Sequence, residues 1–310
     1  MNVRYETTTR DGHTLDILAD DDTGIGIVVT RRGAELVSLT RQNARGEHVG
    51  FLWRDGDITK APEGWNNHAT VMGYFLHRIK NERTTYRGHE IRGGTHSFLR
   101  HKDFDAPLCD KDACALTYRI VPGQFTPDEY PFKVALSLTY ALQHGQLRVT
   151  FHFENLEPDL TTHVSFGLHP GFGASSFDAA EVIMPEGDYV RHFAPDNFLS
   201  GETKAFHHPG GPMPFEKSKL PGSFLLELKD VPQPIFALED RPTQRRVELD
   251  FREVPYVTLW SNGQPFICIE PCWGMPDHHE QRPFEEKLGM QIIPPRGTLT
   301  RSFTIEPQLV

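Results

Sequence analysis

Residues 132–153 read FKVALSLTYALQHGQLRVTFHF. Phe132, Val134, Leu136, Leu138, Tyr140 and Leu142 alternate with Lys133, Ala135, Ser137, Thr139 and Ala141. After Gln143-His144-Gly145-Gln146, Leu147, Val149, Phe151 and Phe153 alternate with Arg148, Thr150, His152 and Glu154. A period of two on both sides of a glycine-containing turn predicts a hairpin with one buried face. A slip of one residue would expose the whole apolar set, so the register is strongly specified. Outward from this hairpin, strands are predicted at Gly26–Thr30, Glu35–Thr40, Thr84–Arg87, Glu90–Arg92 and Ala115–Val121. Others follow at Leu225–Leu228, Val247–Phe251, Val257–Trp260, Phe266–Glu270 and Leu299–Ile305. No stretch reads as an amphipathic helix of three turns, and no repeat of fixed period occurs. Many short strands separated by turn signals point to an all-β chain, a large antiparallel β-sandwich over residues 1–310. Pro185–Pro221, rich in Pro, Gly and His, reads as a surface excursion and a candidate covering loop.

The chain carries 32 Lys and Arg against 42 Asp and Glu, a formal net charge of -10. Such a balance offers no general attraction to a phosphate backbone or an anionic lipid surface, so neither nucleic acid nor membrane is an expected partner. The opening MNVRYETTTRDGHTLDILADDD has no apolar leader segment, and cytoplasmic residence is the expectation. Four cysteines, Cys109, Cys114, Cys268 and Cys272, are too few for a disulfide framework at this length. Their spacing is not that of a zinc ribbon, and they read as buried thiols. Phosphate-binding glycine loops and the G-x-S-x-G elbow are absent.

Three segments depart from plain strand patterning. Gly73–Arg83 (GYFLHRIKNER) and Gly93–Phe104 (GGTHSFLRHKDF) bring Arg78, His96, Arg100 and His101 into a short span. In Thr162–Phe172 (THVSFGLHPGF), His169 follows an apolar run and precedes Pro170-Gly171. In Pro265–Asp277 (PFICIEPCWGMPD), Glu270 follows Phe266-Ile267-Cys268-Ile269 and precedes Pro271, where the strand is expected to end. A carboxylate at such a junction is partly desolvated, which moves its pKa towards that of a general base. The same placement also suits a solvated glutamate that closes a strand, and His169 also suits a structural histidine beside a Pro-Gly turn. No H-E-x-x-H or Cys/His spacing supports a zinc site drawn from His96, His101 and His169.

At these segments the chain resembles the aldose 1-epimerase (galactose mutarotase) family, particularly its divergent bacterial LacX-like branch. GYFLHRI is similar to the family's G-R-x-x-N-R-I segment, and GGTHSFLRHKDF to its histidine-glycine loop. SFGLHPGF resembles the segment of the second histidine, and VPYVTLWSNGQPFICIEPCWG the strands leading to the catalytic glutamate. The resemblance implies a galactose mutarotase-like supersandwich with an open sugar cleft. It implies Glu270 as general base, His169 as general acid, and His96 and Arg78 as hydrogen-bonding partners of the sugar. Arg100 is a further candidate for substrate binding. Trp260 and Trp273 are candidates for an apolar platform under a pyranose ring. The chemistry implied needs no cofactor and no metal, and its partner is a small aldohexose.

Two positions depart from the family pattern: Ser97 stands where glycine follows the first histidine, and His77 where asparagine precedes the arginine. The family's active-site aspartate has no clear counterpart, although Asp230 and Asp250 lie in its neighbourhood. Two alternatives therefore stand beside mutarotation. The basic stretch Arg78–Lys102 suits a hexose 6-phosphate on the same fold. The altered positions suit a non-catalytic carbohydrate-binding or regulatory protein.

Overall fold

A computed structural model describes residues 2–60 and 64–310. Strands Val134–Gln143 and Gln146–Asn155 pair antiparallel from Val134↔Asn155 to Gln143↔Gln146. His144 and Gly145 between them take φ of 54° and 76°. Two left-handed residues make the turn whose twist matches a hairpin. Leu136, Leu138, Tyr140, Val149, Phe151 and Phe153 are fully buried. Arg148 on the opposite face is exposed and His152 half-buried.

Among the described residues, fifteen strands form one large sheet, and every pairing between strands is antiparallel. Its path begins Gln291–Ile293, Thr162–Gly173, Phe266–Trp273, Tyr256–Trp260, Phe224–Asp230. It continues through Ala180–His192, Ile235–Asp240, Arg245–Asp250 and Thr298–Leu309 to the Gln146–Asn155 hairpin, then to Ala115–Ile120 and Leu108–Asp110. Ala69–Tyr74 pairs alongside Thr162–Gly173. The sheet curls on itself: Phe151 and Phe153 meet Phe166 at ring separations of 5.0 and 4.7 Å, although their strands lie far apart along the path. A five-stranded sheet, Val3–Arg10 to His48–Gly50 in chain order, packs against it. Tyr140 Oη donates to Ala34 O (2.8 Å) and Tyr118 Oη to Asp16 Oδ2 (3.0 Å), tying the two sheets across their core. Buried tyrosines of this kind contribute apolar area and still satisfy their hydroxyls. The strands predicted across Gly88 form the small hairpin Arg83–Tyr86/His89–Arg92.

Two expectations are corrected. Pro185–Pro221 is not a loose excursion: Ala180–His192 pairs with Thr203–Pro212 from Ile183↔Pro212 to His192↔Thr203. Gly210 and Gly211, at φ of 84° and 111°, supply the backbone freedom near its end. The prolines after His169 and Glu270 do not end their strands either. Thr162–Gly173 runs through Pro170, and Phe266–Trp273 runs through Pro271. Proline is tolerated there because the ladder between these strands is interrupted at that point, so no N–H is called for.

Candidate active site

The interruption is what builds the site. Thr162–Gly173 and Phe266–Trp273 pair at Gly167↔Cys272 and again at Gly171↔Cys268, with no pairing between. The same register on both sides of the gap sets His169 opposite Glu270. His169 Nε2 lies 3.4 Å from Glu270 Oε1. On their outer flanks the strands stay paired, His169 with Thr70 and Glu270 with Thr258. Both side chains are buried, Glu270 at 1% exposure and His169 at 7%, yet both line a cavity of about 310 Å³. That volume lies at the small-ligand end of the range for binding pockets.

A second pair of histidines forms the adjoining wall. His77 N–H donates to His96 Nδ1 (3.1 Å), and His96 N–H donates to His77 O (2.7 Å). Acceptance at Nδ1 leaves the neutral His96 ring with its proton on Nε2. The His96 ring meets the His169 ring edge-on at 5.2 Å. His77, His96 and Ser97 all sit at left-handed φ, 58°, 62° and 63°. Such strain in non-glycine residues clusters at functional sites. Ser97 is where the resembling family has glycine, and left-handed backbone is the physical reason for that preference.

Arg78 and Arg100 also line the cavity, and among the described residues neither forms an ion pair. Other basic side chains of the same stretch are engaged elsewhere: Arg92 with Glu90, Lys102 with Glu129, and Lys80 with His279 O. Trp260 lines the cavity, and Trp65 joins it, 5.1 Å from the His169 ring. The expectation for Trp273 is corrected. Its ring stacks on Phe166 (5.1 Å), its Nε1–H donates to Glu253 O (2.8 Å), and it is 1% exposed, in the core rather than the cleft. It lies three residues beyond Glu270, on the opposite face of the strand. His101 is exposed and off the cavity wall. Asp230 and Asp250 lie away from it, Asp250 in a surface pair with Arg252. Glu270 is the single carboxylate among the described lining residues.

Trp65, Thr70 and Thr258 were missed in the sequence. Trp65 lies in a polar stretch without periodicity, and Thr70 and Thr258 matter only because the register puts them beside His169 and Glu270.

Burial raises the Glu270 carboxyl well above its ordinary range and lowers His169 to about 3. His96 is also held well below the usual histidine value, by burial first and then by the neighbouring His169 and His77 rings. Opposite shifts on a facing carboxyl and imidazole favour a neutral pair that holds one proton between them. Among the described residues, buried His169 Nδ1 and Glu270 Oε2 have no hydrogen-bond partner. Orphaned polar atoms cost stability, and their presence at a cavity wall marks where a polar ligand would satisfy them. Perturbed acids and bases of this kind, converging on one small cavity, are equipped for proton transfer.

A sequence model of the aldose 1-epimerase family matches residues 16–302. The plasmid-borne protein LacX of Lactococcus lactis subsp. lactis is 24% identical over 294 residues, covering 88% of this chain and 93% of the relative. Among solved structures, a galactose mutarotase related enzyme from Lactobacillus acidophilus superposes with TM-score 0.81 at 24% identity, covering 98% and 97% of the two chains. A galactose mutarotase-like protein from Lactobacillus casei superposes with TM-score 0.79 at 22% identity, covering 98% and 100%. These likenesses show a shared galactose mutarotase-like fold. With a family match spanning most of its length, the chain belongs to the aldose 1-epimerase family.

Proposed function

We propose that the protein is an aldose 1-epimerase that interconverts the α and β anomers of a hexose. The observation that carries this reading is the facing pair His169 and Glu270, 3.4 Å apart in a cavity of one sugar's size. Glu270 takes the proton from the anomeric hydroxyl while His169 delivers one to the ring oxygen, and the C1–O5 bond breaks. The resulting aldehyde rotates about C1–C2. The C5 hydroxyl then attacks its other face, returning its proton to His169 as Glu270 reprotonates the former carbonyl oxygen. The reaction needs the charged form, carboxylate and imidazolium, whereas burial favours the neutral pair. Both forms hold one proton, so passage between them needs no exchange with solvent. In this reading His96 Nε2–H and the guanidinium groups of Arg78 and Arg100, all lining the cavity, steady negative charge on the sugar oxygens.

Glu270→Gln keeps the shape and removes the base. We expect anomerisation, followed by polarimetry or NMR, to fall at least ~10²-fold with the fold intact by circular dichroism. A wild-type rate in this variant would overturn the assignment. Saturable sugar binding without acceleration over the spontaneous rate in the unaltered protein would point to a binding protein. A phosphorylated hexose is the second reading, favoured by Arg78 and Arg100 facing the cavity outside any described ion pair. Parallel assays with glucose and glucose 6-phosphate separate the two: a phosphate-requiring enzyme ignores the free sugar.

A further inference from the structure

We infer that the floor of the cleft is also a metal site, in which His77 Nε2, Cys272 Sγ and a carboxylate oxygen of Glu270 bind Zn²⁺ or a similar divalent cation and so take the base out of action. The inhibitory consequence rests on Glu270 being the base, while the site itself does not.

The three donor atoms lie within 4.8 Å of one another. His77 Nε2 and Cys272 Sγ are 3.7 Å apart. Tetrahedral zinc with bonds of ~2.0 Å to nitrogen and ~2.3 Å to sulfur sets such a pair about 3.5 Å apart, so these two donors need little movement. Strand geometry supplies the carboxylate and the thiol together, because Glu270 and Cys272 are two residues apart and share a face. The left-handed backbone at His77 turns its ring onto them. Thr258 Oγ1 contacts two of the donors, 3.3 Å from His77 Nε2 and 3.8 Å from Cys272 Sγ.

A separate observation points to a ligand: Glu270 Oε2 is buried with no hydrogen-bond partner among the described residues. His77 and Glu270 line the cavity, which gives a cation its path inward and leaves a fourth position open to water. Charge also balances. Zn²⁺ with one thiolate, one carboxylate and a neutral imidazole is uncharged overall, which suits a buried floor. Binding releases the Cys272 thiol proton to solvent, along with the Glu270 proton where that is present, and no electron moves. Because the thiol must lose its proton to bind, affinity rises with pH.

Cobalt(II) titration of the full chain tests the site without reference to turnover. One equivalent is expected to produce a thiolate-to-cobalt charge-transfer band. Cys272→Ser should lose that band, and Cys109→Ser, at the half-buried cysteine in Leu108–Asp110, should keep it. In anomerisation assays Zn²⁺ should inhibit, a chelator should restore the rate, and Cys272→Ser should need about tenfold more Zn²⁺ or higher. If Cys272→Ser does not fold, X-ray absorption of the Zn²⁺-loaded Cys109→Ser protein should show one sulfur at ~2.3 Å. Absence of that sulfur, absence of the band in the unaltered chain, or its survival in Cys272→Ser overturns the site. A band with no loss of rate overturns the inhibitory role. A band in a protein that accelerates no sugar leaves the metal site standing and removes the epimerase reading.

Discussion

Lys287 Nζ lies 2.7 Å from Asp277 Oδ1, and both side chains are almost wholly shielded from water. Asp277 does more than balance a charge. Its Oδ2 accepts from Lys80 N–H (3.2 Å), and its own N–H donates to Arg78 O (3.1 Å). The chain leaving the Glu270 strand is thereby fastened to the segment that carries Arg78. Lys287→Met would leave the buried carboxylate without its counter-charge, held only by the Lys80 and His278 N–H groups, and losing one partner of a buried pair costs ~3–5 kcal/mol. The urea midpoint should fall accordingly with an unchanged slope; a shift below about 1 kcal/mol would show that the pair is not buried in solution.

Trp260 and Trp273 should separate cleft from core. Trp273→Ala removes a stacked, hydrogen-bonded core ring and is expected to cost ~3–5 kcal/mol in unfolding free energy. Trp260→Ala should cost less stability than Trp273→Ala and raise KM for the sugar, because its half-buried ring lines the cavity. The opposite pattern in paired melting and kinetic measurements would reverse the placement.

Ser97→Gly is expected to stabilise the protein by ~1 kcal/mol. Glycine accepts φ of 63° without steric cost, and the substitution deletes a buried hydroxyl that has no partner among the described residues. The greater freedom of glycine in the unfolded chain offsets part of the gain. Thermal unfolding that moves down rather than up would show that the hydroxyl is satisfied in solution.

Stability should depend on pH through the buried pair, with opposite signs for its members. His169 is depressed to about 3 in the folded state, so its contribution is present above ~6.5 and is lost as pH falls towards 3. Glu270 is raised, so its contribution is present below its unfolded value near ~4.3 and is lost as pH rises through its folded one. His169→Gln should therefore gain on the wild type by about 1.4 kcal/mol per unit as pH drops through the histidine window. Glu270→Gln should gain as pH rises above the carboxylate range. Parallel melts of both variants across pH check the two signs; equal slopes in variant and wild type would count against burial of these groups.

The hairpin at 132–153 was legible because its alternation is long and its turn short, so local pattern and tertiary burial agree. Glu270 and His169 stood out by residue type and neighbourhood, and the resemblance supplied their roles. Their meeting could not be read from the chain: it depends on a register between strands about a hundred residues apart. The prolines beside them misled for a related reason. Proline signals a strand end only where a ladder N–H is required, and these two fall where the ladder is open. Pro185–Pro221 misread because glycine and proline content suggests a loop, whereas cross-strand pairing with Ala180–His192 overrides composition. Trp273 misread because an aromatic near a catalytic candidate does not reveal which face of the strand it takes.

The cavity has two kinds of wall. His169, Glu270 and Thr258 stand on paired strands, whereas Ala194, Asn197, Gly222 and Ser223 come from connecting segments. Insertions or exchanges in those segments can reshape what enters while the spacing of acid and base stays fixed by the sheet. Selectivity and turnover are thus separately adjustable, and a library confined to residues 193–202 and 217–223 should shift sugar preference without eroding the proton-transfer step.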